Sequence, residues 1–376
     1  MKSKFVGLLI CCFIILTAAL VACSSAPAAM DKPAGTEKPA AAQTPAANAA
    51  QQKQKPTLST DIDDAAHQSA DMVYEWWYLD AAFDNGYSVG MSWQIIDKPG
   101  DGSGPIRLIQ FAIYDPQGKK TDVEAKFDPA AVNASKTNCD VTMGNNHLKG
   151  SYPRWNVDFR QGDLGCNLIF DSLIEGFKTP PDGLVYFTKQ PARWIGWVIA
   201  QPRAKVTGTL ILNGKEIAVT GVGYHDHNWG NTFLNDMYHH WYWGRIFLPD
   251  YTFIYSVGQM TDALGAKPSS VIFTYKGSDL LDVSTNIFAD ASDLVLDEYS
   301  GAKYPRALVL RLEGPTVKGT ISHHLKNVVE KQITPGAKPG EGRVYFRFLS
   351  DCDINLNIAG EKLEVHTPLL HEYMIP

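Results

Sequence analysis

The stretch Arg203-Ala-Lys-Val-Thr-Gly-Thr-Leu-Ile-Leu-Asn-Gly-Lys-Glu-Ile-Ala-Val219 reads as two strands joined by a two-residue turn. Asn213-Gly214 is the kind of pair that tolerates the positive φ angles of a type I′ turn, whose twist matches the strands it joins. Outward from this hairpin the same signals recur. Tyr87 to Ile95 and Arg107 to Tyr114 alternate or run β-branched and aromatic, as strands do. Asp115-Pro-Gln-Gly118, Gln161-Gly-Asp163, Pro249-Asp250, Lys276-Gly-Ser-Asp279 and Ala359-Gly360 punctuate the chain as turns. Helical periodicity is nearly absent, so the expected fold is all-β, a sandwich or a barrel.

A second series of strands begins with Trp241 to Leu248 and Tyr251 to Gln259, and continues through Ser270 to Lys276 and Ala307 to Leu312. It finishes with Arg343 to Leu349, Asp353 to Ile358 and Lys362 to His366, while Ile333 to Gly342 reads as a solvated hairpin connection. Each half therefore has its own set of strands. Two domains are expected, 68–232 and 233–376, with the boundary in the loop around Gly230 to Asn235.

The first residues, Met1 to Lys4, carry two lysines, and Phe5 to Ala19 is apolar without a charge. That is the pattern of a signal peptide over 1–22. It ends in Leu20-Val21-Ala22-Cys23, which resembles a bacterial lipobox and marks Cys23 for lipidation. The alternatives are an ordinary secretory peptide and a single membrane anchor, with a cysteine there by chance, but the apolar run is short for a bilayer span. The Ala/Pro-rich residues 23–60 read as a disordered tether. The expected location is lipid-anchored at the cell envelope, on the outer membrane facing the periplasm where the host has two membranes.

A net charge of -6, with no basic block in the globular part, excludes nucleic acid and anionic lipid headgroups as partners. Cys11 and Cys12 leave with the leader and Cys23 takes the lipid, so Cys139, Cys166 and Cys352 remain. They form either one bridge, Cys139 with Cys166, or three buried thiols.

Two places can carry chemistry: Glu75-Trp76-Trp77-Tyr78, and Gly221-Val-Gly-Tyr-His-Asp-His-Asn-Trp-Gly230 with Trp241-Tyr-Trp-Gly-Arg245 after it. In an extended strand Trp241, Trp243, Arg245 and Phe247 share one face, and across the turn Tyr251, Phe253, Tyr255 and Val257 share another. Such faces wall an aromatic pocket or form plain core. His225, Asp226, His227 and Trp229 offer polar chemistry; alternatively Asp226 and Asn228 cap a tight turn while the histidines bond across the boundary. His225-x-His227 has metal-ligand spacing, but a third ligand, His239, His240 or another, follows no recognisable spacing, so no metal is expected. Glu75 beside two tryptophans reads as a structural carboxylate. Nucleotide-binding glycine loops, a G-x-S-x-G elbow and a catalytic-cysteine context are absent, and no cofactor is expected.

With its E-W-W-Y start and G-x-G-Y-x-D-x-N-W-G centre, the chain beyond residue 70 resembles the carotenoid hydratase (hydroxyneurosporene synthase) family. Relatives of that family include lipocalin-like AttH proteins and kievitone hydratase. The resemblance implies two tandem lipocalin-like barrels and a pocket for an apolar ligand, with Trp76, Trp77, Tyr224, Trp241, Trp243 and Arg245 as its binding residues. Asp226 offers an acid, His227 and Trp229 match an H-x-W pair of the hydratases resembled, and these two with Trp241 and Tyr255 would orient the substrate or stabilise the cation. An expected Tyr-x-Asp reads Tyr255-Ser-Val257 here, leaving Asp250 or Asp226 to substitute. Two functions follow: a carrier of an isoprenoid- or lipid-like ligand working with an envelope transporter, or a hydratase or cyclase acting on a polyene by acid catalysis. Val257 and the lipid anchor favour the carrier. A catalyst predicts a buried carboxyl without an ion-pair partner facing the cavity, whereas a carrier predicts only apolar and hydrogen-bonded lining.

Overall fold

The computed structural model describes residues 57–67, 69, 71–98, 104–179, 182–334 and 343–375. The leader, the lipidation site and the tether up to residue 56 lie outside the described residues, as does most of the 333–342 connection. The last part of the expected tether belongs to the fold. Thr57–Leu58 pairs with Phe177–Lys178, and Thr60 bonds to Asp63 at the start of a single 3-10 turn, Asp61–Asp63.

The chain is two curled antiparallel sheets, each wrapped around its own apolar core as a half-barrel, in the lipocalin-like manner. In the first, Tyr74–Phe83 sits centrally, flanked by Ser88–Ile96 on one side and Lys215–Gly230 on the other. The pairing continues from Lys215–Gly230 through Ala192–Leu212 to Leu164–Ser172. In the second, Tyr238–Phe247 lies between Tyr251–Met260 and the last strand, Glu361–Ile375, which pairs in turn with Arg343–Ile358. Most neighbours are consecutive hairpins; each sheet also pairs its first long strand with its last, Tyr74–Phe83 with Lys215–Gly230 and Tyr238–Phe247 with Glu361–Ile375. The sheets change over between Gly230 and Tyr238, through one short helix, Leu234–Met237.

The opening hairpin forms as its sequence requires. Leu212 pairs with Lys215, and Asn213 and Gly214 take φ of 52° and 73°. Strand alternation then builds three apolar layers rather than two. Trp77, Trp93, Phe111 and Phe159 fill the first sheet, while Phe253, Tyr255, Phe346 and Phe348 fill the second. Between the sheets lies a third layer, with Tyr78, Phe177, Tyr224, Ile254 and Phe273 packed beside Trp76, Trp197 and Trp243. Tyr74–Phe83 is thus buried on both faces, which is why its sequence shows no clean polar alternation.

Two ion pairs and a hydrogen bond clamp the middle layer: Asp80 with Arg245 at 2.5 Å, Lys120 with Glu330 at 2.5 Å, and Arg203 donating to the Leu248 carbonyl at 2.7 Å. Cys139, Cys166 and Cys352 are three separate buried thiols; no Cys139–Cys166 bridge exists. Cys139 pairs in register with Gly150 and Cys166 with Phe159 and Leu210, so the two thiols stand on strands that are not neighbours.

Candidate functional site

Lys215–Gly230 carries the central motif, and its alternation divides that motif in two. Tyr224, Asp226 and Asn228 face the second sheet, while His225, His227 and Trp229 face the opposite way. Adjacent residues of the motif therefore serve different environments.

The outward half meets a cavity of about 520 Å³ between the sheets, a size that takes a drug-sized molecule or part of a longer polyene. Its walls include Trp76, Tyr78, Phe177 and Trp197 from the first sheet and Trp241, Trp243 and Phe273 from the second. The aromatic rings interlock across the gap. Trp243 stands edge-on to Tyr224 at 5.5 Å and to Tyr78 at 6.0 Å, and Trp197 stands edge-on to Phe273 at 5.5 Å.

Asp226 is the chemically distinctive group in this wall. Trp197 Nε1 and Tyr224 Oη donate to its Oδ2 at 2.9 and 2.8 Å, and Asn228 Nδ2 donates to its Oδ1 at 2.9 Å. It lacks an ion-pair partner among the described residues, because the nearby guanidiniums are committed elsewhere: Arg245 to Asp80, and Arg347 to Glu372 at 2.7 Å. Burial pushes the Asp226 carboxyl up, against the hydrogen bonds from Trp197 and Tyr224, to about 6. With Oδ2 already accepting twice, the acidic proton belongs on Oδ1. The result is a carboxylic acid poised near neutrality against aromatic faces.

The inward half is a closed polar knot. His225 Nδ1 faces the Tyr78 carbonyl at 2.9 Å, and its Nε2 faces Asp64 Oδ2 at 3.0 Å. His227 Nδ1 faces the Asp63 carbonyl at 3.1 Å, and its Nε2 faces Glu75 Oε1 at 3.0 Å. Each imidazole thus lies between a backbone carbonyl and a carboxyl oxygen. Burial raises Asp64, but the facing His225 charge and the bonds from His225 and Trp155 outweigh it and hold the carboxyl below its ordinary range. Burial lowers His225, and the charge of Asp64 more than reverses this. Burial raises the Glu75 carboxyl. Trp77 stacks on His227 at 4.5 Å, and His67 on Trp229 at 3.7 Å. Asp64, Cys139 and His225 bring donor atoms within 4.8 Å of one another, the only such trio among the described residues. Asp64 Oδ2 is already bonded to Trp155 and His225, while its Oδ1 is buried without a hydrogen-bond partner.

The AttH-like family model matches residues 51–335. The chain belongs to the AttH-like family. Among solved structures, an AttH protein from Nitrosomonas europaea superposes with a TM-score of 0.62 at 17% identity, covering 84% of this chain and 96% of that one. CghA gives 0.64 at 12% identity over 85% and 92%. Kievitone hydratase from Nectria haematococca gives 0.56 at 14% identity over 85% and 93%. At these identities the likeness is one of fold. No curated protein matches the chain in sequence.

In this AttH-like protein the residues singled out by sequence separate into three groups. Trp76, Tyr224, Asp226, Trp241 and Trp243 lie at or beside the cavity, with Arg245 stacked over Tyr224 and Trp243 at 5.5 Å each. Trp77, His227 and Trp229 lie behind the wall. Tyr255 lies in the core of the second sheet, its hydroxyl 3.4 Å from His323 Nε2, because Ser256 and not Tyr255 takes the cavity face of that strand. Val257 shares the face of Tyr255, so an acid there would not reach the cavity. Asp226 and Asn228 do not cap a turn; they stand within a strand, paired with Tyr78 and Trp76.

Sequence reasoning missed Trp197, Glu372, Arg347, Asp64 and His67. Trp197 alone had a signal, in its alternation with Ile195. Gly196, beside it, is needed for close approach. A Cβ there would stand 2.1 Å from Trp229 Cε2. Gly196→Ala is expected to cost about 1 to 3 kcal/mol by overpacking, and unchanged thermal unfolding would refute that contact.

Proposed function

We propose that this AttH-like protein is a hydratase-type acid catalyst that works on an apolar, isoprenoid-like polyene in the cavity between its sheets. The observation that carries this reading is Asp226, a buried carboxyl without an ion-pair partner, raised to about 6 and facing an aromatic wall. Asp226 Oδ1–H transfers its proton to one carbon of the double bond, leaving a carboxylate beside a tertiary cation. Aromatic faces stabilise that cation by roughly 0.5 to 2 kcal/mol per contact. Water then bonds to the cation and returns a proton to Asp226, so that the net change is addition of one water.

Structural neighbours that include a hydratase support the same class of chemistry, at the level of fold. A carrier of a neutral polyene has no use for an ionisable group at this position, because burying it unpaired is costly. The test is incubation of the purified protein with an acyclic polyene in heavy-oxygen water, followed by mass spectrometry. A product gaining one labelled water is expected. Polyene recovered unchanged but bound to the protein would replace the hydratase reading with a carrier.

A further inference from the structure

Two carboxyls in the cavity wall, Asp226 and Asp282, have no ion-pair partner among the described residues. On its own strand Asp226 has the neutral donors Tyr224 and Asn228, with His225 on the opposite face already bonded to Asp64. From Ala192–Leu212 it receives only the Trp197 indole. Tyr74–Phe83 contributes Tyr78, whose hydroxyl donates to Asp80 at 2.8 Å, and Asp80 itself takes Arg245. On the second sheet, Arg347 is held by Glu372, with Tyr345 Oη accepting from its Nε at 3.1 Å. Asp80 and Glu372 therefore take the guanidiniums of Arg245 and Arg347, Arg203 is held by the Leu248 carbonyl, and Asp226 faces a cavity walled by indole and phenol rings without a positive partner among the described residues. Such rings attract a cation to their faces.

We infer that the cavity is a binding site for a lipophilic organic monocation, with Asp226 as its counter-charge. The ligand class is a tertiary or quaternary ammonium of a size that fits the cavity, held by ring faces and one carboxylate rather than by hydrogen bonds. This deepens the acid-catalyst reading, since the carbocation in that mechanism has the same charge and place. Its test needs no turnover, so the two can fail separately. A protein that binds the ammonium and hydrates no polyene loses only the hydratase reading.

The probes are phenyltrimethylammonium and its neutral isostere tert-butylbenzene, titrated against the intact chain by tryptophan fluorescence at fixed ionic strength. At pH 7 the cation is expected to bind at least about tenfold tighter than the isostere. Because the carboxylate form is the partner, this preference weakens towards about tenfold per unit as the pH falls below the Asp226 midpoint. Asp226→Asn is expected to remove both the preference and its pH dependence while the isostere still binds, which also reports an intact cavity. Asp282, in the cavity lining on the Asp279–Ser284 strand, is also raised by burial; retention of the pH dependence in Asp226→Asn would transfer the role away from Asp226. As a second variant, Trp197→Phe keeps the aromatic wall but removes one donor to Oδ2, so the midpoint should move up. Equal affinity for the two probes at pH 7, a preference that survives Asp226→Asn, or an unmoved midpoint in Trp197→Phe would each overturn the inference.

Discussion

Asp226→Asn is expected to lower polyene hydration by about 100- to 10,000-fold, the usual contribution of a positioned general acid, equivalent to about 3 to 5 kcal/mol of barrier. Asparagine has the shape of aspartic acid and no proton to give. Its carbonyl oxygen can accept from Trp197 and Tyr224 as Oδ2 does. Its amide would then face Asn228 Nδ2, a conflict that a flip of the Asn228 amide relieves. The fold should therefore survive, and loss of rate reports the chemistry. In the proposed mechanism the acid form is the active one. The rate should be level below the raised midpoint of about 6 and fall about tenfold per pH unit above it. Product formation followed by mass spectrometry from pH 5 to 8 checks both. A variant within a few-fold of the parent, or a rate indifferent to pH across that range, removes Asp226 from the mechanism.

Asp64→Ala is expected to give the largest loss of stability, about 3 to 5 kcal/mol, because it leaves a buried charge unpaired. Asp64 Oδ2 holds Trp155 Nε1 at 2.8 Å and His225 Nε2 at 3.0 Å, and the Asp64 carbonyl takes Trp77 Nε1 at 3.0 Å. Only the first two are lost, but they are the charged ones, and His225 is wholly enclosed. The pH dependence follows from the two shifts. Asp64 lies below its ordinary value, so its stabilisation exists above the unfolded pKa of about 3.9 and is lost as pH falls through the folded value. His225 lies above its ordinary value, so its share is complete below about 6.5 and is lost as pH rises through the folded value. Both contributions are complete only between about pH 4 and 6.5. Urea unfolding of parent and variant across pH 4 to 9 should show the gap widest in that window. Curves that stay parallel, or a gap under about 1 kcal/mol, would mean that the pair is not charged in the folded protein.

Much of this was legible without coordinates because it depends on neighbours along the chain. Asn213-Gly214 specifies its turn through the φ angles it can adopt, and the strands around it follow from side chains that alternate every second residue. The same local rule put Trp241, Trp243, Arg245 and Phe247 on one face, where they are found beside the cavity and its clamp. It also puts Asp226 and His227 on opposite faces, although they are adjacent in the motif.

Which of those faces meets a cavity is not a local property. Tyr251 to Val257 has the same aromatic alternation as Trp241 to Phe247, yet Tyr255 points into a core. The partners that give Asp226 its character come from elsewhere: Trp197 from 29 residues away, and a guanidinium balance set by Arg347, which reaches Tyr78 across 269 residues. Antiparallel register and the packing of one sheet on the other bring them together. The sequence by itself determined the all-β class, the hairpins and the two-sided pattern of the motif strand, because these rest on backbone angles and side-chain period. Only the tertiary structure decided that Asp226 faces the cavity as an unpaired carboxyl and that His227 is part of a buried knot. Desolvation and charge pairing depend on what the second sheet and the distant strands cover, not on which residue comes next.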